Sequence, residues 1–287
     1  MAMSGVPDQV GVIGGGRMGS GIAQAFLLAG ARVEVVEAGD EAADAARGRI
    51  ADGLEESARR GKLAGDDVGG TFARLSLVDR AAELSPGTGL VVEAVPERAD
   101  LKVAVLTAAE SALGPDAVLA TNTSSLSVTE LAAALQRPAR FLGLHFFNPV
   151  PASKLVEVVV APETADDVVL AARGWVRALG KTDVVVKDSP GFASSRLGVL
   201  LGLEAIRMLE EGVADAEAID TAMELGYRHP MGPLRSTDLV GLDVRLAIAE
   251  YLAGTLGERF TPPQLLRDKV AAGELGRKTG RGFHDYP

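Results

Sequence analysis

The chain carries three histidines, His145, His229 and His284, and no cysteine, so few of its side chains can move a proton near neutral pH. His145 lies near the end of an apolar run, Phe141 to Phe146, just before the turn Asn148-Pro-Val-Pro. Glu157 follows inside a second apolar run, Leu155-Val-Glu-Val-Val-Val, which reads as an adjacent strand. A carboxylate among valines is costly to bury unless it is paired. Paired with one nitrogen of His145, it orients the ring and raises its basicity, and the other nitrogen then exchanges a substrate proton. The same two residues also suit a satisfied core histidine and a glutamate on a strand edge, and on their own they leave both readings open. His229 and His284 read as loop residues. No spacing of His, Asp and Glu suggests a metal site, and no G-x-S-x-G elbow suggests hydrolysis.

A second stretch points to a bound nucleotide. Val10 to Ala29 reads V-G-V-I-G-G-G-R-M-G-S-G-I-A-Q-A-F-L-L-A, a short β-type run, a glycine turn and a helical pattern. Gly14, Gly16 and Gly19 hold the glycine places of G-x-G-x-x-G, with Arg17 and Met18 between the last two. The first glycine permits the tight turn, the second lets the backbone approach a pyrophosphate, and the third lets helix and strand pack closely. The helix N-terminus then favours the diphosphate through its free N–H groups. The next run, Ala31-Arg-Val-Glu-Val-Val, ends at Glu37, about twenty residues past the glycines. A carboxylate there accepts from the ribose 2′-hydroxyl of NAD and repels the 2′-phosphate of NADP. A plain βαβ unit with a surface glutamate shares parts of this pattern; the full pattern reads as an NAD site.

The surrounding elements fit that function. At 287 residues and 47% hydrophobic content, one large or two modest domains with an ample core are expected. A formal net charge of −10 disfavours nucleic acid and anionic membrane as partners. The lack of cysteine excludes disulfides and thiolate chemistry and fits a reducing interior. The first residues, Met-Ala-Met-Ser-Gly-Val-Pro, lack the basic and apolar regions of a signal peptide, and no apolar run is long enough to span a bilayer. A cytoplasmic protein is the expectation.

After Glu37, Asp40 is placed to cap a helix running to about Arg60, ending in the basic cluster Arg59, Arg60 and Lys62. Those charges suit the helix dipole or an anionic handle. Gly65 to Gly70 reads as a break. Strands are expected at Leu75 to Val78, Leu90 to Ala94, Ala117 to Thr121, Phe141 to Phe146, Leu155 to Val160 and Thr182 to Val186. Glu97 and Lys102 bracket the start of a helix over Leu101 to Leu113, where an ordinary helix-start acid and a solvated lysine also fit. Asn122-Thr-Ser-Ser is a polar loop at the carboxyl end of a strand, where open α/β sheets bind ligands. Ser127 with Glu130 reads as a capping box, and Thr164 with Asp167 opens a helix through Leu179. Beyond Asp188-Ser-Pro-Gly the periodicity turns helical: Phe192 to Glu211, Asp215 to Leu225, Leu239 to Leu256, and a short helix after Thr261-Pro-Pro. The fold expected is α/β, a Rossmann-type dinucleotide-binding domain over residues 1–187, followed by an all-helical dimerisation domain over residues 188–287. Leu197, Leu200, Leu201, Ile206 and Leu209 give the first helix of the second domain more apolar surface than that domain readily covers.

The chain resembles the short-chain L-3-hydroxyacyl-CoA dehydrogenases, including the bacterial 3-hydroxybutyryl-CoA dehydrogenases, over almost its whole length. The resemblance rests on G-V-I-G-G-G-R-M-G-S-G-I-A, V-V-E-A-V-P-E, T-N-T-S-S-L, G-L-H-F-F-N-P-V, K-L-V-E-V-V, K-D-S-P-G-F, H-P-M-G-P and G-R-K-T-G-R-G-F, in the family's order. It implies NAD as cofactor, an acyl-CoA substrate and a homodimer formed through the helical domain. It implies His145 as the catalytic base, Glu157 as its partner and Ser124 as a substrate-binding serine. Cofactor contacts fall by resemblance on the glycine loop, Glu37, Glu97, Lys102, Asn122, Ser124, Asn148 and Lys278. The family's coenzyme A region falls near Arg60, but a serine contacting coenzyme A is replaced by Gly53. The asparagine that faces the reacting centre in the family is replaced by Ser195 in K-D-S-P-G-F-A-S-S-R, which bears on the acyl substrate more than on the reaction type. Two other readings fit less of this pattern. One is a dehydrogenase of the same fold acting on a sugar acid, a carrier-protein thioester or an aromatic degradation intermediate. The other is an NAD-binding protein without catalysis, against which the intact Ser124, His145 and Glu157 argue.

Overall fold

The computed structural model describes residues 5–64 and 67–287. The chain forms two compact units, Met1–Ser189 and Pro190–Pro287, which meet two residues past the boundary expected from composition.

The first unit is built on one sheet of eight strands: β1 (Gln9–Ile13), β2 (Arg32–Val36), β3 (Leu75–Val78), β4 (Leu90–Glu93), β5 (Val118–Thr121), β6 (Phe141–Phe146), β7 (Leu155–Val160) and β8 (Thr182–Lys187). Their order is β3-β2-β1-β4-β5-β6-β7-β8. Every neighbouring pair is parallel except β6 and β7, which run antiparallel. The chain steps outward from β1 to β2 and β3, then returns to place β4 on the other side of β1, so the strand order reverses there. A crevice at the carboxyl ends of β1 and β4 follows from that reversal. The central strands are nearly continuous in valine, leucine and isoleucine, as burial on both faces requires. Val10, Val12, Val33 and Val35 pack with Ile22 and Phe26 of α1 (Arg17–Leu28) and Ile50 and Leu54 of α2 (Asp40–Arg59), all fully buried.

Local chemistry departs from expectation in several places. Asp40 is the first residue inside α2 rather than its cap; Gly39 holds the cap position, and Asp40 and Glu41 complement the dipole from the first turn. Residues 65 and 66 of the expected glycine break lie outside the described residues, and α3 (Val68–Phe72) follows them. After α4 (Ala99–Ala112), Ser127 caps α5 (Val128–Ala132) by accepting from the Glu130 N–H at 3.1 Å. The Asp188 carboxylate in turn accepts from the hydroxyls of Ser127 at 2.8 Å and Thr129 at 2.7 Å. Thr164 does not cap α6 (Asp166–Ala178); its hydroxyl donates to the Phe141 carbonyl at 2.7 Å and accepts from the Ala161 N–H.

The second unit contains α7 (Ser194–Glu210), α8 (Ala216–Gly226), α9 (Pro233–Val240), α10 (Leu242–Leu256) and α11 (Gln264–Ala271). Asp215 caps α8 by accepting from the Ala218 N–H at 2.8 Å. The single helix expected over Leu239 to Leu256 is interrupted at Gly241, whose φ of +103° ends α9 and starts α10. Val199, Leu203, Ile206, Leu234, Leu242, Leu252 and Phe260 form this unit's own core. Ile206 therefore belongs to that core, whereas Leu197 and Leu200 on the same helix are 68% and 36% exposed. His284 lies in a loop, as expected, and is held there by carboxylates. Its Nε2 lies 2.8 Å from the buried Asp220 carboxylate, while Asp238 accepts from the N–H groups of Phe283 and His284 and from the Tyr286 hydroxyl. Burial and the neighbouring Asp238 carboxylate push the Tyr286 pKa up. Among the described residues no helix is long and apolar enough to cross a membrane.

Candidate active site

β6 and β7 pair so that His145 stands directly opposite Glu157. Residues opposed across an antiparallel pair project from the same face, which brings two side chains twelve residues apart into contact. His145 Nδ1 lies 2.8 Å from Glu157 Oε2, with the two residues 6% and 1% exposed. The Phe147 ring tilts against the imidazole at a centroid distance of 4.4 Å. The burial that makes an unpaired glutamate unfavourable is here matched by a hydrogen-bonded partner.

The Asn122 to Ser125 loop beside them is organised by Glu97. One carboxylate oxygen, Oε1, accepts from the Thr123 hydroxyl at 2.6 Å and from the N–H groups of Ser124 at 2.9 Å and Ser125 at 3.1 Å. The other oxygen stands 3.2 Å from Lys102 Nζ. Burial raises the Glu97 pKa, but the Lys102 charge and the hydrogen bonds from Thr123, Ser125 and Ser124 outweigh it, so the group sits below the usual carboxylate range. Lys102 is not a solvated lysine: it is 1% exposed and pairs at 2.7 Å with Glu93, itself 0% exposed. Glu93 also accepts from the Thr121 hydroxyl and the Val95 N–H, both at 2.7 Å. Asn122 Oδ1 accepts from the Phe146 N–H at 2.8 Å, which ties the end of β5 to the end of β6. Met18, Glu97, Asn122, Ser124, His145 and Asn148 are among the residues lining one cleft of about 330 Å³ at these strand ends.

The glycine loop fits a dinucleotide. Gly14 adopts φ +96°, and a Cβ there would come 2.9 Å from the Ala94 carbonyl oxygen. A Cβ on Gly19 would stand 1.7 Å from the Gly14 oxygen, so any side chain would break the strand-to-helix turn. A Cβ on Gly16, by contrast, would meet no protein atom within 4 Å, and Gly16 is the exposed cap of α1. The first turn of α1, with Arg17 exposed at its start, is thus open to a diphosphate. Glu37, just past β2, accepts from the Gly15 N–H at 2.5 Å through Oε2.

Other expected site residues lie elsewhere. Arg60 is exposed at the end of α2, where it and Arg59 pair with Glu56 at 2.6 and 2.7 Å. Hydrogen bonds from those two guanidinium groups hold the Glu56 pKa down. Lys62 donates to the Pro151 carbonyl at 3.2 Å. At Gly53 a Cβ would stand 2.6 Å from Gln24 Oε1, because the Gln24 amide donates to the Gly53 carbonyl. In the second unit, Lys278 pairs with Asp243 at 2.6 Å, and Ser195 is the second residue of α7.

Three residues went unassigned in the sequence. Glu93 ends an otherwise apolar strand, and that lone acid was the available signal. Gly15 sits at a position the motif leaves free, yet a Cβ there would come 2.4 Å from the Ala46 Cβ on α2. Arg49 reaches from α2 to the Gly15 carbonyl at 2.7 Å and leaves no local pattern.

A mainly parallel sheet with a glycine loop at its reversal point, and a cleft lined by His145 with the buried Glu157 behind it, fits a nicotinamide-dependent dehydrogenase. Residues 9–189 match the family described as 3-hydroxyacyl-CoA dehydrogenase, NAD binding domain, and residues 191–286 match its C-terminal domain. The chain belongs to the 3-hydroxyacyl-CoA dehydrogenase family, and its cofactor is NAD. It is 43% identical over 289 residues to a 3-hydroxybutyryl-CoA dehydrogenase of Mycobacterium tuberculosis, covering 99% of this chain and 100% of the relative. It is 39% identical over 285 residues to the enzyme of that name from Bradyrhizobium diazoefficiens, covering 99% of this chain and 97% of that one. The crystal structure of (S)-3-hydroxybutyryl-CoA dehydrogenase from Ralstonia eutropha is similar to it with a TM-score of 0.93 and 40% identity, over 98% of this chain and 99% of that one.

Proposed function

We propose that this chain catalyses the reversible oxidation of a 3-hydroxyacyl-CoA at C3 to the 3-ketoacyl-CoA, with 3-hydroxybutyryl-CoA the acyl-CoA named for its relatives. The observation that carries the reading is the 2.8 Å contact between His145 Nδ1 and Glu157 Oε2 beside the nucleotide loop. NAD, when bound, supplies the hydride acceptor. In oxidation His145 takes the hydroxyl proton on Nε2; in reduction the imidazolium returns it to the carbonyl oxygen. Glu157 fixes the ring through Nδ1 and offsets the imidazolium charge. Ser124 positions the substrate oxygen, and Glu97 holds that serine through its backbone N–H.

Gly14, Gly16, Arg17, Met18 and Gly19 receive the diphosphate and Glu37 the adenosine ribose. Glu97, Lys102, Asn122 and Asn148 complete the cofactor site of the first unit, and Arg60 meets the coenzyme A. Residues beyond Lys187 join two copies into a homodimer, a reading supported by the exposed Leu197, Leu239 and Val244. The protein acts in the cytoplasm, in keeping with the lack of cysteine.

A steady-state panel tests the activity: NADH consumption with acetoacetyl-CoA and with free acetoacetate, and NAD reduction with L-gulonate. Turnover of acetoacetyl-CoA well above the other two is expected. Turnover of L-gulonate with none of the thioester would reject the reading in favour of a sugar-acid dehydrogenase.

A further inference from the structure

The glycine loop contains a peptide that its own backbone hardly restrains. Gly14, Gly15 and Gly16 stand in a row, so the plane between Gly15 and Gly16 rotates on bonds that belong only to glycines. The Gly15–Gly16 bond is trans, and the carbonyl and N–H of a trans peptide point in opposite directions. Turning that plane over therefore exchanges its two polar ends. One orientation offers an anion beside the loop the Gly16 N–H, and the other offers it the Gly15 carbonyl oxygen.

Two side chains from two helices fix the orientation. Ser20 of α1, 5% exposed, donates its hydroxyl to the Gly15 oxygen at 2.7 Å. Arg49 of α2 donates to the same oxygen from Nη2 at 2.7 Å and from Nε at 3.2 Å. Its Nε also lies 3.3 Å from Ser20 Oγ, which ties the two anchors together. A carbonyl oxygen has only two lone pairs, so more donors converge here than satisfying it requires. On the other side, the Gly16 N–H has no acceptor among the described residues, and a Cβ on Gly16 would meet no protein atom within 4 Å. A side chain at Gly15 cannot stiffen the loop instead, because its Cβ would come 2.4 Å from that of Ala46.

We propose that Arg49 and Ser20 are positioning residues for the cofactor, latching the Gly15–Gly16 peptide so that the Gly16 N–H faces the diphosphate of NAD. The proposal rests on the reading that the glycine loop receives that diphosphate. Without the latch the glycine peptide populates both orientations, and in one of them a carbonyl oxygen meets the dianion. Holding the peptide beforehand removes that orientation from the free protein, so cofactor binding does not have to select against it. Ser20 is buried behind the carbonyl, and its effect reaches the cofactor only through that peptide. Either residue alone still holds the oxygen, so the two back each other up.

The test is a double-mutant cycle on the affinity of the full chain for ADP-ribose, with adenosine as the probe that lacks a diphosphate, both measured by competition against NADH fluorescence. Arg49→Met and Ser20→Ala are each expected to weaken ADP-ribose binding about twofold. The double variant should weaken it about 10–100-fold, the scale of a hydrogen bond to a charged group, instead of the roughly fourfold that independent sites give. Adenosine should bind the parent and all variants about equally. Arg49→Lys in the Ser20→Ala background keeps one cationic donor and should return ADP-ribose affinity to within about threefold of the parent. In turnover the double variant should raise KM for NADH with kcat nearly unchanged, a split that a general loosening of the fold does not produce. Methionine and alanine are good helix formers, so its circular dichroism should match the parent's. A double variant no weaker than the product of the single ones, an equal loss for adenosine, or loss of the fold overturns the proposal. A parent that binds ADP-ribose no better than adenosine rejects instead the underlying reading of the glycine loop.

Discussion

Lys102 and Glu93 form an ion pair of 2.7 Å from which solvent is almost wholly excluded, the lysine at 1% and the glutamate at 0% exposure. The pair joins the start of α4 to the end of β4, and Lys102 also stands 3.2 Å from Glu97, which accepts from the Ser124 N–H. Removing one partner leaves the other charge buried without compensation, which costs about 3–5 kcal/mol. Lys102→Met should therefore lower unfolding stability by about that amount in urea titration. Adding Glu93→Gln to the same chain should recover part of the loss. A Lys102→Met variant as stable as the parent would show that the pair contributes nothing.

Glu97 gives a pH-dependent companion to that effect. Its folded pKa is lowered, so it contributes stability that is present above its ordinary value of 4.5 and is lost as pH falls toward the folded value. The stability gap between the parent and Glu97→Gln should be widest near neutrality and shrink below about pH 4.5. Parallel stability curves over that range would contradict this.

The proposed cofactor preference rests on Glu37, whose Oε2 accepts from the Gly15 N–H. A charged hydrogen bond of this kind contributes about 1.5–3 kcal/mol. Glu37→Ala should narrow the NADH over NADPH preference in kcat/KM by roughly 10–100-fold. Equal use of both cofactors by the unmutated protein would be inconsistent with that role.

Much of this arrangement was legible in the sequence because its signals are local. The β1 run, the glycines and Glu37 lie within one βαβ unit, and the alternation into helical periods after Asp188 marks the second unit. His145 and Glu157 were readable as candidates because each interrupts an apolar strand; their pairing needed the register of β6 on β7, which is a tertiary fact.

What escaped the sequence was non-local. Lys102 is placed in the cofactor site by resemblance, while its local pattern also suits a solvated helix-start lysine; its burial against Glu93 depends on how α4 packs on β4. Arg49 reaches from α2 to the carbonyl of Gly15, 34 positions away in the chain. Asp40 carries the right chemistry for a cap, but Gly39, with φ +83°, makes the turn and moves the helix start by one residue. His284 lies in a loop, as its setting predicts, but its contact with Asp220, 64 positions away, is a tertiary fact.

Association is testable on the exposed apolar face of the second unit. Leu197 is 68% exposed and does not serve that unit's own core. Leu197→Asp should shift a dimer toward monomer in light scattering while leaving the circular dichroism unchanged, because a charge on a contact surface is repelled by its copy. A parent protein that is already monomeric at micromolar concentration would reject dimerisation.

The central claim is that His145 moves the substrate proton. Its most direct test is the kcat of His145→Gln for NADH-dependent reduction of acetoacetyl-CoA, measured beside NADH binding by fluorescence. The expected result is a fall in kcat of roughly 10²–10⁴, the usual contribution of a general acid–base group, with NADH affinity preserved. Near-full kcat in that variant would contradict the assignment.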